Sequence, residues 1–177
     1  MKALVIYGSR YGTAKEISER IKDILQEENV DVDLINSDDK KKVQVEDYDL
    51  VVAGSGIKMG KWTKNTLNFL KKNRNELSNR KVALFVSCGA ANEEKNKAEA
   101  QEKYLDNVAA KYLDTEPLAT GLFGGVYDPN ADHGLMYKLV KRNIEKEMVK
   151  MGHDPTKKHD YRDWDAITQW TVDLINK

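Results

Sequence analysis

Three observations predict an α/β protein with a doubly wound parallel sheet. Short, continuous apolar runs alternate with segments of helical period. Most of those runs are rich in Val, Ile, Leu or Ala from end to end. Glycine-rich or small-residue loops follow the first, third and fourth of them. Runs that are apolar throughout suit strands covered on both faces, and strand–helix alternation implies parallel pairing through right-handed crossovers.

The strands are expected at residues 2–7, 30–35, 49–54, 81–87 and 117–123. Ile17, Ile21, Ile24 and Leu25 repeat at helical spacing after the first, and Leu67 with Leu70 after the third. A third helical stretch runs over about 93–113. Beyond Phe123 come Gly124-Gly125, a loop through Pro129, a helix over about 135–151 and a second polar stretch. A closing helix then spans 163–176, with Trp164, Ile167, Thr171 and Leu174 on one face. Residues 125–162 thus read as an insertion within one domain spanning 1–177.

Composition narrows the function classes. Of 177 residues, 40% are hydrophobic and 33% charged, which argues against both disorder and a membrane-spanning chain. The 29 basic and 29 acidic residues balance, so net charge recommends neither nucleic acid nor an acidic ligand. Cys88 is the single cysteine, so no intramolecular disulfide can form. The opening residues read as a buried strand rather than a secretion signal, and a cytoplasmic location is expected.

The loop Gly8-Ser9-Arg10-Tyr11-Gly12-Thr13-Ala14 joins the first strand to the first helix. Its backbone N–H groups and the helix N-terminus can cradle a phosphate, with Ser9 and Thr13 as hydroxyl donors and Gly12 allowing close approach. A capped turn, with Thr13 as N-cap and Glu16 as its partner, explains the same residues. The spacing is neither G-x-G-x-x-G nor a G-K-[ST] loop, and no acidic residue stands at the strand ends to hold Mg²⁺.

The second loop is Gly54-Ser55-Gly56-Ile57-Lys58-Met59-Gly60-Lys61-Trp62. Its glycines suit backbone approaching a flat ligand, on which Met59 and Trp62 can pack; the plainer alternative buries Trp62 under a helix. Ser87-Cys88-Gly89-Ala90-Ala91 ends the fourth strand in small residues at the same edge. His133, His153 and His159 share no metal spacing and read as surface or turn residues. Cys88, with neither a histidine nearby nor a CxxC partner, reads as a small buried filler. The helix near 135–151 carries an apolar stripe of Leu135, Met136, Leu139, Val140, Ile144, Met148 and Met151. Its cations Lys138, Lys141, Arg142, Lys146 and Lys150 face two acids, Glu145 and Glu147. Such a helix suits its own domain, a second copy of the chain, or an anionic membrane surface.

Strand, Ser-x-x-Gly loop, helix and a glycine-rich loop after the third strand together resemble the flavodoxin family across the whole chain. The resemblance implies a five-stranded sheet of order 2-1-3-4-5 with FMN at its switch point. Gly56-Ile57-Lys58-Met59-Gly60, the closing Asp160-Tyr161-Arg162-Asp163-Trp164 and the insertion after strand 5 are similar to the menaquinone-dependent protoporphyrinogen oxidase type branch. By carry-over, Ser9, Arg10, Tyr11, Gly12, Thr13 and Ala14 bind the FMN phosphate. Ser55, Gly56, Ile57, Lys58, Met59 and Gly60, with Ser87, Cys88 and Gly89, flank the isoalloxazine. No catalytic residue and no metal is assigned.

Three departures stand out. Tyr11 and Ala14 occupy positions where the family usually carries hydroxyl side chains, the usual stacking tyrosine is absent around Ala90-Ala91, and the chain is not acidic. An electron carrier working with a ferredoxin or a flavin reductase is the function implied. A flavin-dependent protoporphyrinogen oxidase passing electrons to a quinone, and a scaffold without cofactor, are the alternatives. Quinone or membrane contact through the 135–151 helix and a homodimer complete the expected partners.

Overall fold

The computed structural model describes residues 1–177 except Lys40 and Asp132–Gly134, with backbone alone for 135–140. Five parallel strands form the sheet: β1 (Lys2–Gly8), β2 (Asp31–Asn36), β3 (Leu50–Gly56), β4 (Lys81–Ser87) and β5 (Ala119–Phe123). Their order is β2-β1-β3-β4-β5, the doubly wound arrangement expected. The strand positions agree with the apolar runs to within two residues.

Side chains on the inner strands alternate between two cores because successive residues point to opposite faces. Ala3, Val5, Val52, Ala83 and Phe85 pack with Ile17, Ile21 and Leu25 of α1 (Thr13–Glu27) and Ile167 and Leu174 of α7 (Trp164–Asn176). Leu4, Ile6, Val51, Ala53 and Leu84 face the opposite way. They meet Leu70 of α2 (Lys64–Lys72), Leu77 of α3 (Arg74–Leu77) and Leu105. Phe85 crosses the first core toward Phe123 and Trp170, with ring centroids 5.9 and 6.4 Å away. Gly54 leaves room for it: a Cβ there would lie 2.0 Å from the Phe85 ring.

The third helical stretch is interrupted. α4 (Glu94–Gln101) and α5 (Asn107–Tyr112) are joined by a π-helical turn over Glu102–Asp106. Within that turn the Tyr104 carbonyl accepts a 2.7 Å hydrogen bond from the Trp62 indole N–H. That contact satisfies the one polar atom of a large ring otherwise buried in the second core.

After β5, residues 126–160 build a small clip. β6 (Val126–Tyr127) pairs antiparallel with β7 (His159–Asp160), and α6 (Leu135–Lys150) lies between them in sequence. Tyr161 N–H donates to the Gly125 carbonyl at 3.0 Å, which ties the clip's return to the end of β5. Within α6, Met148 is buried, while Ile144 is half-buried and Val149 exposed. Leu135, Met136, Leu139 and Val140 of the apolar stripe, the cation Lys138, and His133 lie outside the side chains described. Among the described residues, no helix is long and apolar enough to cross a membrane.

Candidate functional site

Parallel pairing brings three strand ends to one edge, with Gly8 opposite Ser55, Gly56 opposite Ser87 and Ser87 opposite Phe123. The loops leaving β1, β3 and β4 therefore surround one space, where open α/β sheets place their ligands.

The first loop turns tightly into α1. Ser9 Oγ accepts a 3.0 Å bond from Gly12 N–H, and Gly12 takes φ 90°, a conformation that glycine adopts without steric cost. The helix begins at Thr13 with no side chain capping it. Thr13 is thus its first residue, so the capped-turn explanation does not hold. Glu16 N–H closes the first helical bond to the Gly12 carbonyl at 3.0 Å, which leaves the N–H groups of Thr13, Ala14 and Lys15 without intrahelical acceptors. Those donors and the helix dipole make a ready phosphate seat.

At that seat is a pocket of about 170 Å³. Ser9, Arg10, Tyr11, Thr13 and Ala14 line it from the first loop. Gly56, Ile57 and Lys58 contribute from the second, and Ser87, Cys88 and Gly89 from the third. The remaining wall is Glu16 with Gly125, Val126, Asp128, Ala131 and Lys158. Tyr11, Ile57, Lys58, Gly89, Gly125 and Val126 also line a wider, mainly apolar cleft of about 670 Å³, so the two spaces adjoin. Met59, Tyr127, Ile144, Met148, Met151 and Tyr161 extend that wider cleft. The described half of the α6 stripe thus faces its own chain.

Ser55, Gly60, Lys61 and Trp62 of the second loop line neither space. Ser55 is fully buried, donates to the Gly56 carbonyl at 3.0 Å and accepts from Thr63 N–H at 2.9 Å. It shapes the loop rather than facing the cleft. Trp62 is turned into the second core, and Lys61 is exposed away from both spaces. Gly60 is in the tip of a two-residue turn, with Met59 at φ 50° and Gly60 at φ 72°. Lys58 and Lys61 exchange backbone bonds of 3.1 Å across it. Positive φ at both central positions is the signature of a type I′ turn. Lys58 Nζ is 4.8 Å from the Tyr11 ring centroid, which joins the first loop to the second.

Electrostatics at the edge are specific. Burial pushes the Cys88 thiol up, against weaker backbone hydrogen bonding, so it is a neutral thiol at pH 7. Arg162, with a side chain 5% exposed, bonds Asp160 at 2.5 Å and Glu16 at 2.6 Å and lies 4.5 Å from the Trp164 ring centroid. The Arg162 hydrogen bond holds the Asp160 carboxyl below its usual range, against desolvation. A lowered folded-state value gives stability that is present above the unfolded value of about 4 and is lost as pH falls through the folded value. Wild-type protein is therefore expected to lose more thermal stability than Asp160→Asn on acidification from pH 5 toward pH 3. Equal losses would show that this pair contributes nothing.

Several features had no signal in the sequence. His153 and His159 come together with ring centroids 5.0 Å apart, and Tyr161 packs on both. The Tyr161 hydroxyl is buried with no hydrogen-bond partner among the described residues, and burial raises its pKa. Val126, Asp128, Ala131 and Lys158 reach the smaller pocket from more than 100 residues beyond the first loop, too far for any spacing rule. Among the described residues, no group of three His, Cys, Asp or Glu side chains is placed to hold a metal.

A family model described as a flavodoxin domain matches residues 4–159. A flavodoxin-like domain-containing protein, BilS, from Clostridioides difficile is 31% identical over 154 residues, covering 87% of this chain and 77% of that one. A protoporphyrinogen IX dehydrogenase [quinone] from Escherichia coli is 25% identical over 182 residues, covering 99% and 96%. Among solved structures, a Fusobacterium nucleatum flavodoxin bound to flavin mononucleotide superposes with a TM-score of 0.56 at 14% identity, covering 99% and 97%.

Proposed function

The chain belongs to the flavodoxin domain family, and on that footing we propose that it holds one FMN non-covalently and transfers electrons to a redox partner protein. The observation that carries this reading is the pair of adjoining spaces. A polar pocket at an uncapped helix N-terminus opens into a wider apolar cleft between the loops leaving β3 and β4.

These residues fit the parts of FMN in order. Ser9, Thr13 and the N–H groups of α1's first turn receive the phosphate. Gly56, Ile57, Lys58 and Met59 flank one side of the flat ring system, with Cys88 and Gly89 at its end. Val126, Met148 and Tyr161 offer the apolar wall that the small residues Ala90 and Ala91 do not. Bound there, a flavin supplies reversible electron uptake at an accessible ring edge. FAD is disfavoured because the first loop lacks the dinucleotide glycine pattern. In this reading residues 1–177 form one domain, and the 125–162 segment is an insertion that walls the cofactor.

Lys58 lines both spaces, so its ammonium favours a ring that has gained negative charge. Lys58→Gln is expected to lower the flavin reduction potential by roughly a few tens of millivolts, and Lys61→Gln, which faces away, by much less. Potentiometry on the two variants decides it. Equal shifts would mean that Lys58 has no privileged place beside the ring.

A second reading is favoured by the size and character of the wider cleft. Its mainly apolar walls leave room for a flat apolar substrate beside a flavin ring. Oxidation of a porphyrinogen with electrons passed to a quinone is the enzymatic form of that reading. Turnover of protoporphyrinogen with a quinone separates enzyme from carrier, and a colourless preparation that takes up no FMN supports a scaffold instead.

A further inference from the structure

We propose that the chain returning from the clip, residues 158–162, forms the second half of the phosphate site. Lys158 supplies its countercharge, and Arg162 restrains an acid that would otherwise compete with the phosphate. The inference rests on the FMN reading above.

The local charges pose the problem. A phosphate seated on the first turn of α1 meets two acids in the pocket wall, Glu16 and Asp128, and only Arg10 as a cation from its own loop. Arg10 is exposed. Glu16 presents the sharper conflict, because it belongs to the helix that must donate to the phosphate. Its Oε1 would be 3.9 Å from a Cβ on Gly12, so the carboxylate is already beside the loop. A carboxylate at a helix N-terminus is attracted by the same unpaired N–H groups and the same dipole as a phosphate. Left to itself, Glu16 can turn inward and cap its own helix.

Arg162 opposes that movement. It reaches Glu16 Oε2 at 2.6 Å across 146 residues of sequence. Its guanidinium is fixed by Asp160, bonded at 2.5 and 2.8 Å, and by the Trp164 ring. The carboxylate is thereby held in an ion pair rather than on the helix amides. Lys158, two residues before Asp160, lines the same pocket as Arg10. Lys158 is a binding residue in this scheme, and Arg162 is a positioning residue that acts through Glu16.

The test compares FMN with riboflavin, which has the same ring and no phosphate, by fluorescence quenching on the full chain. Lys158, like Arg10, is exposed, so Lys158→Gln is expected to weaken FMN only about three- to fivefold and riboflavin by less than about twofold, with the FMN loss shrinking at high salt. Lys157→Gln, whose lysine pairs with Asp154 at 3.6 Å, serves as the neighbouring control and is expected to change neither affinity.

Arg162→Gln is expected to weaken FMN selectively, and Glu16→Gln added to it to restore most of the loss. A merely structural Arg162 would not be rescued in that way. Equal FMN affinity in wild type and Lys158→Gln, or equal losses for FMN and riboflavin, overturns the countercharge. Failure of Glu16→Gln to rescue overturns the positioning role. Wild-type protein that takes up neither flavin overturns the FMN reading itself, and this inference with it.

Discussion

Replacing Gly12 by Val is expected to weaken FMN binding roughly 100-fold, against less than about fivefold for Arg10→Ala. The large effect does not come from a clash, since the nearest atom to a Cβ at Gly12 is Glu16 Oε1 at 3.9 Å. It comes from conformation. Gly12 is held at φ 90°, a region in which a β-branched residue is strained by about 1–2 kcal/mol. Relaxing it rotates the peptide that leads into Thr13 and breaks the 3.0 Å bond from Gly12 N–H to Ser9 Oγ. The N–H groups of the first helical turn then no longer converge on one point. Arg10, by contrast, offers an exposed charge that water screens. Gly12→Asn should lie between the two, because Asn tolerates positive φ better than Val. Titration of the apoprotein with FMN gives all three values. A greater loss at Arg10 than at Gly12 would mean that side-chain charge, not backbone geometry, holds the phosphate.

Replacing Gly124 by Val is expected to cost about 2–4 kcal/mol of stability and to weaken flavin binding at least about tenfold. A Cβ at Gly124 would be 2.1 Å from the Tyr161 carbonyl oxygen and 2.7 Å from its carbon. Both are backbone atoms, so the clip must move as a unit. Moving it breaks the 3.0 Å bond from Tyr161 N–H to the Gly125 carbonyl, and it withdraws Val126, Met148 and Tyr161 from the cleft. Gly89→Ala is the matched control for stability alone, since nothing of the chain lies within 4 Å of a Cβ there. Thermal unfolding of both variants and an FMN titration of Gly124→Val decide the matter. A Gly124→Val protein with unchanged melting and affinity would show that the clip takes no part in the site.

The sheet and most of the pocket were legible in the sequence because their signals are local. Continuous apolar runs mark β1, β3 and β4, and the loop after β1 shows its glycine and hydroxyls in one stretch of seven residues. Trp62 reads in sequence as a candidate ring contact because it belongs to a loop that reaches the cleft. Its true partner, the Tyr104 carbonyl, is offered by a π-helical turn that no periodicity announces. Strands of two residues, such as β6 and β7, are too short to show alternation, so the sequence marks the clip's helix but not the strand pair that closes it. Lys158 has no signal in the sequence, and Arg162 shows there only as part of a closing motif, with nothing to pair it with Glu16. Their meaning depends on a chain path that carries them back to the start of α1.

The most direct test of the account is to identify what the purified protein carries. The absorption spectrum is recorded, and the cofactor is released by heat and separated by chromatography against FMN, FAD and riboflavin. One FMN per chain, in a protein with a structured flavin spectrum, is the result expected. FAD as the main flavin, or a colourless protein that remains colourless after incubation with FMN, would contradict it.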